Sequence, residues 1–62
     1  MNNYSAFAVG DLVSVEGSDD TGIVLEIGKH GQVHVFWNRS KKITRSGKAW
    51  AEIHMEVMSE GR

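Results

Sequence analysis

The chain has 62 residues, of which 40% are hydrophobic and 24% are charged, with a formal net charge of −1 and no cysteine. This length allows one small domain with a thin stability margin, and the lack of cysteine excludes disulfides and cysteine-based zinc sites. The charge argues against a dedicated nucleic-acid coat protein, and no apolar run is long enough to predict a membrane span. With no signal-peptide features, we expect an ordinary globular protein in the cytoplasm.

Two short β-rich runs on either side of a polar loop open the predicted domain. In residues 11–16 the polar and apolar residues alternate, which places Val13 and Val15 on one face. Residues 23–27 are apolar on both sides, as is usual where a strand of a small barrel bends. The loop at residues 17–21 consists of glycine, serine, aspartate and threonine, which favour turns.

The third predicted strand alternates most clearly. Val33, Val35 and Trp37 share one face, whereas His34 and Phe36 lie on the other. Because the first set is the more apolar, we assign it to the core. Phe36 is then expected on the outer face, beside His34.

The last third of the chain allows two interpretations. Residues 41–45 predict a short fourth strand with Ile43 pointing inward. Residues 51–54 then form a single 3₁₀-type turn before a last strand at residues 55–58. The alternative is one continuous helix over residues 49–58, since apolar residues there also follow helical spacing. We favour the turn because the segment is short and a glycine precedes it.

The order of these elements resembles a Src-homology-3-like (SH3-like) small barrel. Within that group, the Gly-Asp-Leu-Val-Ser-Val-Glu-Gly run at residues 10–17, followed by Gly22-Ile23-Val24, resembles the KOW motif of ribosomal and transcription-elongation proteins. Nearly the whole chain is also similar to small bacteriophage proteins. The matching pieces are residues 9–13, 22–27, 33–37 and 55–58.

The resemblance implies an all-β fold, a five-stranded SH3-like small barrel with a 3₁₀ turn before the last strand. The barrel would occupy residues 9–58. It would follow an N-terminal arm at residues 1–8, in which Tyr4 and Phe7 either pack across the barrel mouth or reach a partner. Residues 59–62 would form a flexible tail.

An aromatic and basic surface is the strongest candidate site. An exposed ring beside cations suits base stacking with phosphate contacts, and the same residue types anchor protein interfaces. Because two aspartates in the first loop would repel phosphate, we favour a protein partner over nucleic acid. The alternative is that the tryptophan caps the core and the lysines only solubilise the surface. The candidate contact residues are His34, Phe36, Arg39, Lys41, Lys42, Arg45, Lys48 and Trp50.

We therefore expect a non-enzymatic protein-binding or assembly module, phage-encoded by resemblance and located in the host cytoplasm or the virion. KOW-like nucleic-acid binding and a virion component that works as a multimer through self-association are the alternatives. No cofactor, metal, membrane or small-molecule substrate is expected. The histidines lack zinc-ligand spacing, the serines lack the context of an activated nucleophile, and so small a domain has little volume for a pocket.

Overall fold

The structure is a computed structural model, and it describes residues 6–59 of the chain. Its elements in chain order are β1 (Leu12–Val15), β2 (Thr21–Ile27), β3 (Val33–Trp37), β4 (Ile43–Ser46), α1 (Lys48–His54) and β5 (Met55–Ser59). The strands form one antiparallel sheet in the order β4-β3-β2-β1-β5. The first four strands are therefore a meander, and the chain returns through α1 to place β5 beside β1.

The sheet is not closed into a barrel, which corrects the barrel implied by the resemblance. Within the described residues, β4 pairs with β3 alone and β5 with β1 alone, so both are edge strands. β4 has only four residues, and the chain turns into α1 two residues later instead of continuing as a strand. The edges of β4 and β5 consequently do not meet, as closure would require.

A short α-helix replaces the expected 3₁₀ turn, so the domain is mostly β instead of all-β. α1 begins at Lys48 and ends at His54, and β5 follows directly at Met55. The alternative of one continuous helix to the end of the last strand is therefore also wrong. Gly47 precedes the helix in an extended conformation, and its carbonyl accepts a 2.9 Å hydrogen bond from the Ala51 amide. Ala51 is completely buried, which identifies the side of α1 that packs on the sheet.

One face of the sheet, which we call the inner face, carries the core. The buried apolar residues come from β1, β2 and β3, from α1 and β5, and from the segment before β1. They are Phe7, Val13, Val24, Val33, Val35, Ala51 and Met55. The assignment of Val33 and Val35 to the core is confirmed, since neither is exposed at all. Trp37 is half-buried and packs against this cluster.

β4 lies in a different register from the one expected. The prediction placed residues 41–45 in a strand with Ile43 inward, but Ile43 is 64% exposed on the opposite, outer face. The cause is the preceding turn, in which Lys41 has a φ of 61° and its amide donates to the Trp37 carbonyl at 2.8 Å. This turn places Ile43 opposite Phe36. Partners across antiparallel strands share a face, so Ile43 joins Phe36 outside.

The two chain ends lie only partly within the described residues. Phe7, from the predicted arm, is buried in the core, whereas Tyr4 lies outside the described residues. Ser59 ends β5, and the rest of the predicted tail lies outside the described residues. Within residues 6–59, no helix has the length and apolar character needed to span a membrane.

Candidate functional site

The structure separates the predicted contact surface into three places. Three of its residues lie on the outer face of β3 and β4, three follow β3 in the turn to β4, and two lie on α1, which covers the inner face. In that order they are His34, Phe36 and Arg45; Arg39, Lys41 and Lys42; and Lys48 and Trp50. The two aromatic residues of the prediction therefore lie on opposite sides of the sheet and do not form one surface.

Phe36 lies on the outer face, as predicted, among aliphatic neighbours. Its cross-strand partners are Ile23 on β2 and Ile43 on β4. His34 lies one row away, opposite Glu26, and its Nδ1 atom is 3.8 Å from a Glu26 carboxylate oxygen. The surroundings of the Phe36 ring are thus more aliphatic than cationic.

Two of the predicted basic residues are already paired with carboxylates. Arg39 Nη1 lies 3.6 Å from Asp19 Oδ2, and Lys48 Nζ lies 3.7 Å from Glu52 Oε2 one turn further along α1. Both pairs face solvent and so contribute little to stability. Among residues 6–59, the basic side chains around β4 that have no such ion pair are Lys41, Lys42 and Arg45.

A groove opens on the inner side of the molecule, between β4, the loop from β1 to β2, and α1. We call it the tryptophan groove, because Trp37 and Trp50 supply its aromatic walls, and its volume is about 370 Å³. Trp50 is 45% exposed. The complete lining is Val15, Ser18, Asp20, Trp37, Ser40, Thr44, Ser46 and Trp50.

Neighbouring side chains hold both tryptophan rings. The Trp37 indole Nε1 donates a 2.7 Å hydrogen bond to Thr44 Oγ1. Trp50 packs against the His54 imidazole with ring centroids 4.8 Å apart. His54 in turn has its Nδ1 atom 3.8 Å from a Glu16 carboxylate oxygen. The walls are therefore positioned before any ligand arrives, which lowers the entropic cost of binding.

Sequence reasoning selected Trp50 but missed the other wall of the groove. It assigned Trp37 wholly to the core, whereas the ring is half-buried and also lines the groove. No signal in the sequence marks this, because it depends on the register of β4, which places Thr44 and Ser46 opposite core valines of β3, where a closed core would need apolar residues. Polar residues at inward positions indicate that the inner face is open at β4. The groove is also larger than we expected for a domain of this size.

Asp20 joins two loops at the mouth of the groove. Its Oδ1 atom accepts a 2.7 Å hydrogen bond from the Arg39 amide, and its Oδ2 atom accepts one of 3.2 Å from the Ser40 amide. Partial desolvation raises the pKa of Asp20. The amides of Arg39, Ser40 and Thr21 and the charge of Arg39 lower it by more, and the net pKa lies below the ordinary 3.8.

The titratable side chains do not gather into a metal site. His34 and His54 each lie beside one glutamate, at 3.8 Å in both cases. In residues 6–59, no three histidine, cysteine, aspartate or glutamate side chains lie close enough together to hold a metal ion.

The chemistry available in the groove is that of a binding surface. Two indole rings and Val15 offer apolar contact, and serine and threonine hydroxyls offer hydrogen bonds. The Asp20 carboxylate is the one ionised group among the residues that line it.

No protein-family model matches the chain, and neither the curated proteins nor the solved structures include a significant match.

Proposed function

We propose that the protein is a non-enzymatic protein-binding module that holds an extended segment of a partner protein in the tryptophan groove. The observation that carries this proposal is the pair of positioned rings, Trp37 and Trp50, in an open groove of about 370 Å³. Tryptophan is the residue type most typical of binding hot spots, because its large, rigid ring buries much area at a low entropic cost. The groove volume lies at the lower end of the range for ligand sites.

The charge of the groove favours a polypeptide over a nucleic acid. No lysine or arginine lines it, and the one charged lining residue is the aspartate Asp20. A phosphate group beside that carboxylate would be repelled. Peptide amides and carbonyls, in contrast, find suitable partners in the hydroxyls of Thr44 and Ser46. The partner segment is therefore neutral or basic, with at least one apolar side chain between the rings.

The fold proposal that accompanies this function is a relationship to SH3-like small barrels in which the sheet stays open. Five short antiparallel strands and the Gly10-Asp11 opening before β1 support it, and a short helix stands where the 3₁₀ turn of such barrels was expected. The same resemblance supports a bacteriophage origin. The partner would then be a host or phage protein, met in the host cytoplasm or in the virion.

Nucleic-acid binding is the second candidate function. The observation in its favour is the set of exposed cations beside β4 that form no ion pair among the described residues, namely Lys41, Lys42 and Arg45. Such side chains can contact phosphate, and their contacts weaken steeply as the salt concentration rises. An aromatic-centred protein contact depends far less on salt.

Peptide selection tests the groove. Peptides selected from a random linear library on the wild-type protein should bind the Trp50→Ala variant about tenfold more weakly, because a central aromatic anchor is lost. Ile53→Ala is the matched control: Ile53 lies on the same helix and is 69% exposed, but it does not line the groove. Calorimetry measures the affinities, and thermal unfolding checks that both variants are folded. Equal affinities for all three proteins would contradict the groove as the binding site.

Gel shifts at low salt with RNA, single-stranded DNA and double-stranded DNA test the second candidate. If it is correct, the wild type shifts at least one of these probes, and the double variant Lys41→Glu/Lys42→Glu does not. The shift must also fade as salt is added. The absence of any shift by the wild type would rule this candidate out.

A further inference from the structure

The outer face of the sheet carries a row of large apolar side chains that crosses four strands. Leu12 lies opposite Ile23, Ile23 opposite Phe36, and Phe36 opposite Ile43. We call these four residues the outer row. Ile23 is 46% exposed and Ile43 is 64% exposed, and α1 packs on the other face. A contiguous apolar stripe of this kind is typical of an interaction surface.

The outer row contains both a hollow and a projecting side chain. The hollow has a volume of about 170 Å³, lies mainly over β2 and β3, and is lined by Leu12, Thr21, Gly22, Ile23, Phe36 and Asn38. At the β4 end, Ile43 is the most exposed member of the row and projects from the sheet. One surface thus contains both a knob and a recess, which is the requirement for a symmetric contact between identical chains.

We infer that the outer row is a self-association surface on which a second copy of this chain packs face to face. The two-fold axis runs parallel to the strands and lies between Ile23 and Phe36. This axis places Ile43 of each copy over Leu12 of the other, at the rim of its hollow. It also stacks two sheets with nearly aligned strands, the usual arrangement of sheet-on-sheet packing.

The charges at the sheet edges favour the same axis. β4 carries Arg45 and no acid, and it follows directly on Lys41 and Lys42. At the opposite edge, β5 carries Glu56 and no base. The proposed axis brings β4 of one copy towards β5 of the other. Lys41 and Lys42 lie beside Trp37, on the same side of the outer row as Glu56, so they approach Glu56 at both ends of the interface, whereas Arg45 lies on the opposite side of the row. An axis perpendicular to the strands would place β4 over β4 and bring cations together.

Sedimentation of the full chain over a wide concentration range tests this inference. The wild type should show a concentration-dependent dimer. Ile43→Glu should weaken the dimer about a hundredfold, because it removes the projecting side chain and places a carboxylate against the apolar outer row of the other copy. Ile53→Glu is the matched control, since Ile53 is 69% exposed on α1, and it should associate like the wild type. A wild type that stays monomeric up to millimolar concentration would overturn the proposal, as would equal weakening by both variants.

Cysteine cross-linking tests the axis, since the natural chain contains no cysteine. Mixed chains carrying Leu12→Cys and Ile43→Cys should form a disulfide with each other on mild oxidation. Preferential linking of Ile43→Cys to itself would overturn the proposed axis. Peptide binding in the tryptophan groove should be unaffected in Ile43→Glu, so the two proposals succeed or fail separately.

Discussion

The two faces of the sheet are built from similar residues, but they differ in what covers them. The inner face presents valines, of which Val13, Val33 and Val35 are completely buried. The outer face presents larger apolar side chains in the outer row, and Ile23 and Ile43 remain about half exposed or more. The valines are buried because α1 and Phe7 pack on them, and nothing equivalent within residues 6–59 covers the outer row.

This difference teaches that apolar residues alone do not define the core of so small a domain. The sheet has two faces, and residues 6–59 contain one helix, which covers one of them. At β4 even the inner face is left partly uncovered, and there Trp37 borders the tryptophan groove. The two candidate binding surfaces are thus the parts of the sheet that α1 leaves uncovered.

The largest expected effect comes from adding volume to the inner face at Gly22. A Cβ atom there would contact the Val35 side chain, lie 2.8 Å from Trp37 Cε3 and lie 3.0 Å from the Phe36 carbonyl oxygen. Gly22→Val should therefore lower the free energy of unfolding by about 3 kcal/mol, since close-packed cores do not accept added groups. Urea denaturation measures the loss.

Gly47→Ala is the control for that substitution. A Cβ atom on Gly47 meets no other atom within 4 Å, and its φ of −64° suits any residue. The cost should stay below about 1 kcal/mol, mainly from replacing a helix-capping glycine. A Gly22→Val variant as stable as Gly47→Ala would mean that β2 and β3 are not packed as described.

A matched pair of threonine substitutions measures the contrast between the faces directly. Val35→Thr keeps the side-chain shape but buries a hydroxyl, and it should cost about 2 kcal/mol. Ile23→Thr on the outer face should cost about 0.5 kcal/mol, because Ile23 is 46% exposed and threonine suits a strand. Urea denaturation at a concentration where the protein is monomeric gives both values. Equal costs would contradict the distinction between a covered and an uncovered face.

Much of the sheet could be predicted from the sequence because its first and third strands follow simple alternation. Val33 and Val35 are buried and Phe36 lies on the outer face, as their spacing indicated. β5 was also placed correctly, at Met55–Ser59, to within one residue. The alternation of side chains between the two faces of a strand depends on backbone geometry alone, so it can be predicted without knowledge of tertiary contacts.

The remainder could not be predicted because it depends on contacts between distant segments. The register of β4 is set by Lys41, which adopts a left-handed backbone conformation. Glycine or asparagine at this position would have indicated such a conformation in the sequence, but lysine does not. That register exposes Ile43 and opens the groove at Thr44. α1 is also only seven residues long, and the burial of Ala51 against the sheet supplies stability that local propensity does not.

The smallest expected effect is a pH dependence of stability, and it arises from Asp20 at the mouth of the tryptophan groove. Two backbone amides, those of Arg39 and Ser40, donate to the Asp20 carboxylate, and its pKa in the folded protein lies below the ordinary 3.8. As the pH falls, Asp20 therefore becomes protonated at a higher pH in the unfolded chain than in the folded protein. Asp20 stabilises the fold fully above about pH 4, and the contribution is lost as the pH falls through the lower, folded-state pKa.

Thermal unfolding across this pH range should separate Asp20 from its neighbour. The difference in melting temperature between the wild type and Asp20→Asn should be constant near neutral pH and shrink below about pH 4. Asp19→Asn controls for the removed charge, since the Asp19 carboxylate contacts the exposed Arg39 side chain instead of the backbone amides. It should not reproduce the destabilisation seen near neutral pH. A difference between the wild type and Asp20→Asn that persists unchanged into acid would mean that these hydrogen bonds do not depend on the charge of Asp20, and that another contact joins the two loops.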